Sequence, residues 1–388
     1  MWIPRTIKER LHQAVDSRPV VLLTGARQTG KSSLLQREFP GAEYVSFDHL
    51  NQVEAAKDSP DFFLGQFDDT VILDEIQYVP GLFRELKIVV DRDRSRYGKW
   101  ILTGSQQFEL MEKISESLAG RISILHLETL SARELREGPV KKIDDYTWKG
   151  GYPEIWANPR LNINDFFESY IRTYIERDLK TIIDVKNLHD FQRFIRVMAS
   201  RVGQLVNYRD ISSDVGVSDV TIRKWLHALE VSGIVYLLAP FYRNIGKRLA
   251  RSPKIYFADN GLLCHLLGIN SIKDWQDHVF RGNIWENIVF MELVKTSSLR
   301  PGENIFFYRD QNAVEIDFIV EKKNTLYFIE AKAGERMDES RLNFKKVIPL
   351  FSDKYTTKAI VAQNIKGTGI IRKKDYTTIN PLATDISL

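Results

Sequence analysis

Gly25-Ala26-Arg27-Gln28-Thr29-Gly30-Lys31-Ser32 is the stretch from which the rest of the chain is read. It fits G-x-x-x-x-G-K-[ST] at every fixed position, and its flanks give the pattern physical meaning. Val20-Val21-Leu22-Leu23-Thr24 before it reads as a buried parallel strand, and Ser33-Leu34-Leu35-Gln36-Arg37-Glu38-Phe39 after it reads as the first turns of a helix. In a strand–loop–helix, glycines let backbone N–H groups converge on phosphate oxygens, and the helix N-terminus adds positive potential. Gly25 through Ser33 is therefore the expected phosphate-holding segment, with Lys31 reaching the β- and γ-phosphates and the Ser32 hydroxyl holding Mg²⁺.

About forty residues further along stands Val71-Ile72-Leu73-Asp74-Glu75. Three apolar residues predict a buried strand whose carboxylates emerge at its C-terminal end, where open parallel sheets bind ligands. Asp74 is expected to position Mg²⁺ and Glu75 to polarise an attacking water, as a general base must. The next strand, Trp100-Ile101-Leu102-Thr103, ends in Gly104-Ser105-Gln106. Ser105 is the candidate sensor of the γ-phosphate or the lytic water. Leu118-Ala119-Gly120-Arg121 puts an arginine just before a strand. Arg121 suits an arginine finger acting in trans on a neighbouring copy, which would make the protein a homo-oligomer, or an ordinary surface ion pair.

Outward from this core, 388 residues predict more than one domain, and 43% hydrophobic with 27% charged residues is the composition of a globular chain. The single cysteine, Cys264, excludes an internal disulfide and a cysteine-based zinc cluster. It lies in an apolar run and reads as a buried structural thiol. No 18-residue apolar stretch predicts a membrane span, and the N-terminus lacks the apolar centre of a signal peptide; a cytoplasmic location is the simplest expectation. The net charge of +4 is unevenly placed. Residues 339–388 hold nine Lys/Arg against four Asp/Glu, and residues 207–254 hold eight against four. Local basic excess of this size suits DNA or RNA contact or a plain solvated surface.

Residues 18–135 alternate apolar runs with helical pattern. Strands are expected at Val20–Thr24, Tyr44–Phe47, Val71–Leu73, Trp100–Thr103 and Ile122–Leu127, with helices at Leu82–Asp93 and Leu110–Leu118. Such alternation predicts an α/β domain with a parallel sheet covered on both faces. The expected divisions are an ATPase-type domain over 1–135, a helical linker or lid over 136–188, helices with a hairpin over 189–265, and an α/β domain over 266–388.

Together, Gly25–Ser32, Val71–Glu75, Leu102-Thr103-Gly104-Ser105, Leu118–Arg121 and Gly150-Gly151-Tyr152-Pro153-Glu154 resemble a family of bacterial and archaeal AAA-type P-loop ATPases. These join the P-loop domain to a C-terminal region of unknown function. The resemblance continues through Arg177-Asp178-Leu179, Lys247-Arg248-Leu249 and Pro253–Leu262, with Asn260 where the family usually has threonine. It implies an AAA-like fold, ATP and Mg²⁺ as cofactors, and no particular biological role.

Two further segments carry chemistry. Tyr208–Val215 predicts a short helix, Gly216-Val217 a turn, and Ser218 the cap of a second helix, Asp219–Val231, with Val220, Ile222, Trp225, Leu226 and Leu229 as core positions. A strand from Ile234 completes what resembles a winged helix. Thr221, Arg223 and Lys224 would then face nucleic acid, or the module only packs against its neighbours. Further on, Val314–Val320 alternates as a half-buried strand, and Leu326–Lys332 returns. A two-residue loop at Lys323-Asn324 sets Asp317 opposite Glu330 and Glu315 opposite Lys332, all on one face. Two carboxylates and a lysine so placed resemble the PD-(D/E)XK nuclease core, although Ile316 stands where that motif has proline. The resemblance implies Mg²⁺ on Asp317 and Glu330, Lys332 orienting the nucleophile, and an acid from a preceding helix, which Glu286 supplies. A strand pair held by Glu–Lys contacts, a non-cleaving clamp for nucleic acid and a site for a protein partner stay open beside cleavage.

Overall fold

Five apolar runs form one parallel sheet: β1 (Val20–Gly25), β2 (Glu43–Ser46), β3 (Val71–Asp74), β4 (Trp100–Ser105) and β5 (Ile122–His126). Each lies within two residues of the run that predicts it. The computed structural model describes residues 1–105, 117–140, 142–175, 188–242, 252–297, 299–366, 369–386 and 388, with 105, 174 and 175 described by backbone alone. The chain divides into two compact units. One is Arg5–Thr129 with Val231–Gly233; the other is Met1–Pro4, Leu130–Glu230 and Ile234–Leu388.

In the first unit the strand order is β2-β3-β4-β1-β5. β1 and β3 are buried along their whole length, whereas the edge strands β2 and β5 are partly exposed. That contrast explains the pattern: strands covered on both faces read as continuous apolar runs, and edges do not. β4 lies between β1 and β3, pairing Leu22 with Leu102 and Leu73 with Leu102. The C-terminal ends of these three strands therefore meet, and the helix Lys31–Glu38 starts there, directly after the glycine loop. The helix expected at Leu82–Asp93 runs from Leu82 to Arg92. The one expected at Leu110–Leu118 falls largely outside the described residues.

The second unit opens with short helices. Gly150 must be glycine for packing: a Cβ there would stand 2.1 Å from Asp259 Oδ1. Asp259 accepts from the N–H groups of Gly151 at 2.7 Å and Gly261 at 2.8 Å. Two of the motif stretches that carry the family resemblance are thus docked onto each other, a structural role. Helices Leu188–Ser200, Tyr208–Val215 and Asp219–Val231 lead into an antiparallel pair, β6 (Val235–Leu238) with β7 (Lys254–Phe257). Ile222, Trp225, Leu226 and Leu229 are core as expected, but Val220 is 57% exposed, because it sits on the outer side of the first turn.

A six-stranded mixed sheet follows, built from β8 (Ile305–Arg309), β9 (Glu315–Lys322), β10 (Thr325–Lys332), β11 (Thr356–Gln363), β12 (Ile370–Arg372) and β13 (Thr377–Ile379). Its order is β12-β13-β11-β10-β9-β8. The helix Arg281–Ser297 packs on it, with Trp285 Nε1 donating to the Ala362 carbonyl at 2.9 Å. Described residues of 136–188, 189–265 and 266–388 contribute to one core, and a second cluster around Phe306, Phe328 and Phe351 packs on the C-terminal sheet.

Candidate functional site

The glycine loop is a fixed cradle before any ligand arrives. Gly25 has φ 148°, and a Cβ there would stand 2.3 Å from the Leu127 carbonyl oxygen. Gln28 and Gly30 both have positive φ, at 61° and 91°. A non-glycine in that region is strained, and such turns aim successive N–H groups at one anion. The loop is braced from outside: Arg5 Nη1 donates to the Thr29 carbonyl at 2.8 Å, and Thr29 Oγ1 donates to the Ala26 carbonyl at 3.0 Å. Lys31 is buried and its Nζ donates to the carbonyls of Gly25 and Ala26, at 3.0 and 2.9 Å. The ammonium so held stands at the loop itself.

Ser32 and Asp74 are brought together as the motifs require. The Ser32 hydroxyl donates to Asp74 Oδ1 at 2.9 Å. Two neighbours that sequence reasoning missed complete the arrangement: Tyr44 from β2 donates to Asp74 Oδ2, and Thr103 from β4 donates to Asp74 Oδ1. Burial first, and then the Asp74 carboxylate, hold the Tyr44 phenol protonated far above its ordinary range. Thr103 Oγ1 also accepts from the Glu75 N–H at 3.2 Å. Glu75 stands in the left-handed region, φ 57° and ψ 46°, and its carboxylate accepts from Gln77 Nε2. A hydroxyl and a carboxylate converging at strand ends are oxygen donors of the kind Mg²⁺ takes, so this pair fits the ion.

The remaining nucleotide-site expectations divide. Ser105 ends β4, beside the Gly25 end of β1, but its side chain lies outside the described residues; Thr103 is the polar side chain seen bridging Asp74 and Glu75. Arg121 precedes β5 and so stands at the sheet end opposite the glycine loop. Its guanidinium grips Asp91 with two bonds, 2.7 and 2.8 Å. Those bonds pull the Asp91 carboxyl down to about 2. Within one chain, Arg121 does not reach the phosphate loop. On the second helix of the helix–turn–helix, Arg223 and Lys224 are exposed and Thr221 partly so. Arg223 stacks 3.8 Å from the Tyr208 ring centre. Ser218 Oγ accepts from the Thr221 N–H at 3.1 Å, the expected cap. Arg177-Asp178-Leu179 and Lys247-Arg248-Leu249 lie outside the described residues. Cys264 is fully buried, and burial holds its thiol protonated.

In the C-terminal sheet, β9 and β10 pair Thr325 with Lys322 through Ile329 with Phe318, the register that sets Asp317 against Glu330. The ladder stops at Ile329, where side chains take over from backbone: Asp317 Oδ2 accepts from the Ala331 N–H at 2.8 Å. Lys332 Nζ lies 2.9 Å from Glu330 Oε2. Glu286 joins the cluster through two residues not foreseen. Lys254 Nζ, on β7, contacts Glu286 Oε1 at 2.9 Å and Glu315 Oε1 at 2.6 Å, and the Tyr256 hydroxyl donates to Glu286 Oε1 at 2.6 Å. The signal for them was present: a lysine in the apolar run Pro253-Lys254-Ile255-Tyr256-Phe257 needs a buried partner, and Tyr256, two residues on, shares its face. Among the described residues no group of three or more His, Cys, Asp or Glu side chains is gathered to hold a metal ion. The Mg²⁺ expected on Asp317 and Glu330 would have to share their oxygens with donors already present: the Ala331 N–H on Asp317 Oδ2, the Asn343 N–H on Glu330 Oε1 and Lys332 Nζ at Glu330 Oε2.

Burial raises the Glu286 carboxyl to about 7, with Lys254 opposing the shift and Asp317 adding to it. A folded-state value above the unfolded one gives stability that is full at low pH and is lost as pH rises. Thermal stability of the wild type should therefore fall between the ordinary carboxylate range, near pH 4.5, and pH 7. Glu286→Gln should lack that component. Melting curves taken across this range on both proteins check it; identical slopes would refute it.

Three family models match the chain in succession. An AAA domain family matches residues 17–136, a domain of unknown function (DUF8612) matches 140–273, and another (DUF4143) matches 281–381. The uncharacterized protein Rv2008c of Mycobacterium tuberculosis is 32% identical over 340 residues, 87% of this chain and 75% of its own length. An uncharacterized protein of Haemophilus influenzae is 26% identical over 360 residues, 83% of this chain and 84% of its own. Among solved structures, the Walker-type ATPase PABY2304 of Pyrococcus abyssi aligns over 69% of this chain and 96% of its own. Its identity is 15% and its TM-score 0.45, a likeness too distant to carry an argument about activity. The N-terminal unit is a P-loop ATPase fold of AAA type, which supports ATP binding and hydrolysis. With 32% identity across three quarters of that relative, the chain belongs to the family of the mycobacterial protein Rv2008c, with an AAA domain at residues 17–136.

Proposed function

We propose that the protein binds and hydrolyses ATP at Gly25–Ser33 and couples its nucleotide state to nucleic acid bound by the second unit. The observation that carries the nucleotide half is the convergence of Lys31, Ser32, Asp74 and Glu75 at the C-terminal ends of β1 and β3. Lys31 neutralises phosphate charge, the loop N–H groups orient the chain of phosphates, and Glu75 takes the proton of the attacking water. Ser32 and Asp74 would hold Mg²⁺, which neutralises charge across the phosphates when bound. Tyr44 and Thr103 keep the Asp74 carboxylate in place. Arg121 serves a neighbouring copy's nucleotide only by leaving Asp91.

The nucleic-acid half rests on the helices Tyr208–Val215 and Asp219–Val231 followed by β6 and β7, a succession we read as a winged helix, and on Thr221, Arg223 and Lys224 along the second helix. ATP turnover should rise severalfold with saturating DNA or RNA. Arg223→Ala with Lys224→Ala should abolish that rise and lower the salt dependence of binding by about 2 in the log–log slope, one per lost phosphate contact. Turnover indifferent to both nucleic acids would defeat this half.

A second reading has its own support. Lys254 among the carboxylates favours a nuclease-like fold that does not cleave, in a nucleotide-dependent switch that binds a protein partner. Tight ATP binding with negligible turnover, unchanged by nucleic acid, would favour it; metal-dependent cleavage by the wild type would exclude it.

A further inference from the structure

The carboxylate cluster of the second unit already holds a cation of its own. Lys254 is 2% exposed and enters from β7, outside the β9–β10 hairpin. Its Nζ lies 2.9 Å from Glu286 Oε1 and 2.6 Å from Glu315 Oε1, and 5.6 Å from the Phe307 ring centre. An ammonium with two carboxylates and an aromatic face has its donors and its charge satisfied. Burial pulls the Lys254 ammonium toward neutrality, but Glu286, Asp317 and Glu315 outweigh it and hold the proton on.

Neighbouring carboxylate oxygens have donors of their own. Glu330 Oε1 accepts from the Asn343 N–H at 2.6 Å and Glu330 Oε2 meets Lys332 Nζ at 2.9 Å. Glu315 Oε2 meets Arg309 Nη1 at 2.8 Å. Mg²⁺ needs at least one or two carboxylate oxygens at about 2.1 Å, with waters completing its shell. The buried ammonium between Glu286 and Glu315 opposes a second cation there, because the two would repel at close range.

We propose that the Lys254 ammonium is the resident cation of this cluster, holding the charge of Glu286 and Glu315 that would otherwise draw a metal ion to the nuclease-like core. It ties β7, the helix Arg281–Ser297 and β9 together, and it keeps the centre metal-free. The consequence is a gain on removal. Without Lys254, Glu286 loses its ammonium contact and Glu315 keeps only Arg309, so the like charge of Glu286, Glu315 and Asp317 is less compensated and a divalent ion relieves it.

This deepens the second reading above, and the two fail apart. Cleavage of nucleic acid by the wild type in EDTA would sink the inactive-fold reading alone, whereas Mn²⁺ held at the cluster by the wild type would sink this one. The test is Mn²⁺ titration of nucleotide-free, full-length protein, with free Mn²⁺ counted by electron paramagnetic resonance. Lys254→Met should take up one Mn²⁺ more per chain than the wild type, and Lys254→Met with Glu286→Gln and Glu315→Gln should return to the wild-type count. The N-terminal site is the same in all three, so the difference reports the cluster. A Lys254→Met protein that melts cooperatively yet takes up no extra Mn²⁺ overturns the proposal. Should Lys254→Met not fold, the wild type against Glu286→Gln with Asp317→Asn still decides: equal Mn²⁺ counts support the proposal, and a lower count in the variant overturns it.

Discussion

Lys31→Ala should weaken ATP binding by roughly 100-fold or more while leaving the phosphate loop formed. A unit charge near another at 4 Å is worth about 4 kcal/mol under an effective dielectric of 20. Binding also costs the lysine its bonds to the Gly25 and Ala26 carbonyls, which sets the net loss at about 3 kcal/mol, roughly 100-fold in affinity. The cradle itself does not depend on Lys31. Arg5 holds the Thr29 carbonyl, Thr29 holds the Ala26 carbonyl, and Gly25 is pressed against Leu127. Calorimetric titration with ATP and a melting curve of the nucleotide-free variant measure the two quantities separately. A folded variant with ordinary ATP affinity would defeat the assignment of Gly25–Ser33 as the nucleotide site.

That loop was legible because its information is local. A strand, a glycine turn and a helix start follow one another in the sequence, and buried parallel strands announce themselves as apolar runs. The β9–β10 register was legible for the same reason: Lys323 takes φ 55° in a two-residue turn, which leaves one way to pair the strands. What escaped depends on neighbours that no local pattern names. Tyr44 and Thr103 meet at Asp74 only because β2, β3 and β4 lie side by side, an order set by the whole sheet. Arg121 finds Asp91, thirty residues earlier, on a surface that the alternation of strands and helices does not specify. Lys254 counted toward a basic segment by composition, yet its charge is spent inside the second unit on Glu286 and Glu315. Composition sees a charge but not its partner.

Glu75→Gln should bind ATP as the wild type does and turn it over about 100- to 1,000-fold more slowly, within the range a general base contributes. Glutamine keeps the size of the side chain and its place beside Gln77, so the substitution removes basicity and little else. The backbone offers a sharper control. Glu75 sits at φ 57° and ψ 46°, a conformation that costs a glutamate on the order of 1 kcal/mol and a glycine almost nothing. Its N–H is held by Thr103 Oγ1 at 3.2 Å, so the strain is imposed by the end of β4 rather than chosen by the residue. Glu75→Gly should therefore match or exceed the wild type in melting temperature while losing turnover at least as fully as Glu75→Gln. A residue kept only for the turn would behave in the opposite way, with Glu75→Gln near normal in rate. Pre-steady-state measurement of phosphate release, beside equilibrium binding of ATP, separates the two outcomes. Slow release at unchanged affinity, with a glycine variant more stable and equally slow, would identify Glu75 as a residue held under strain for its carboxylate.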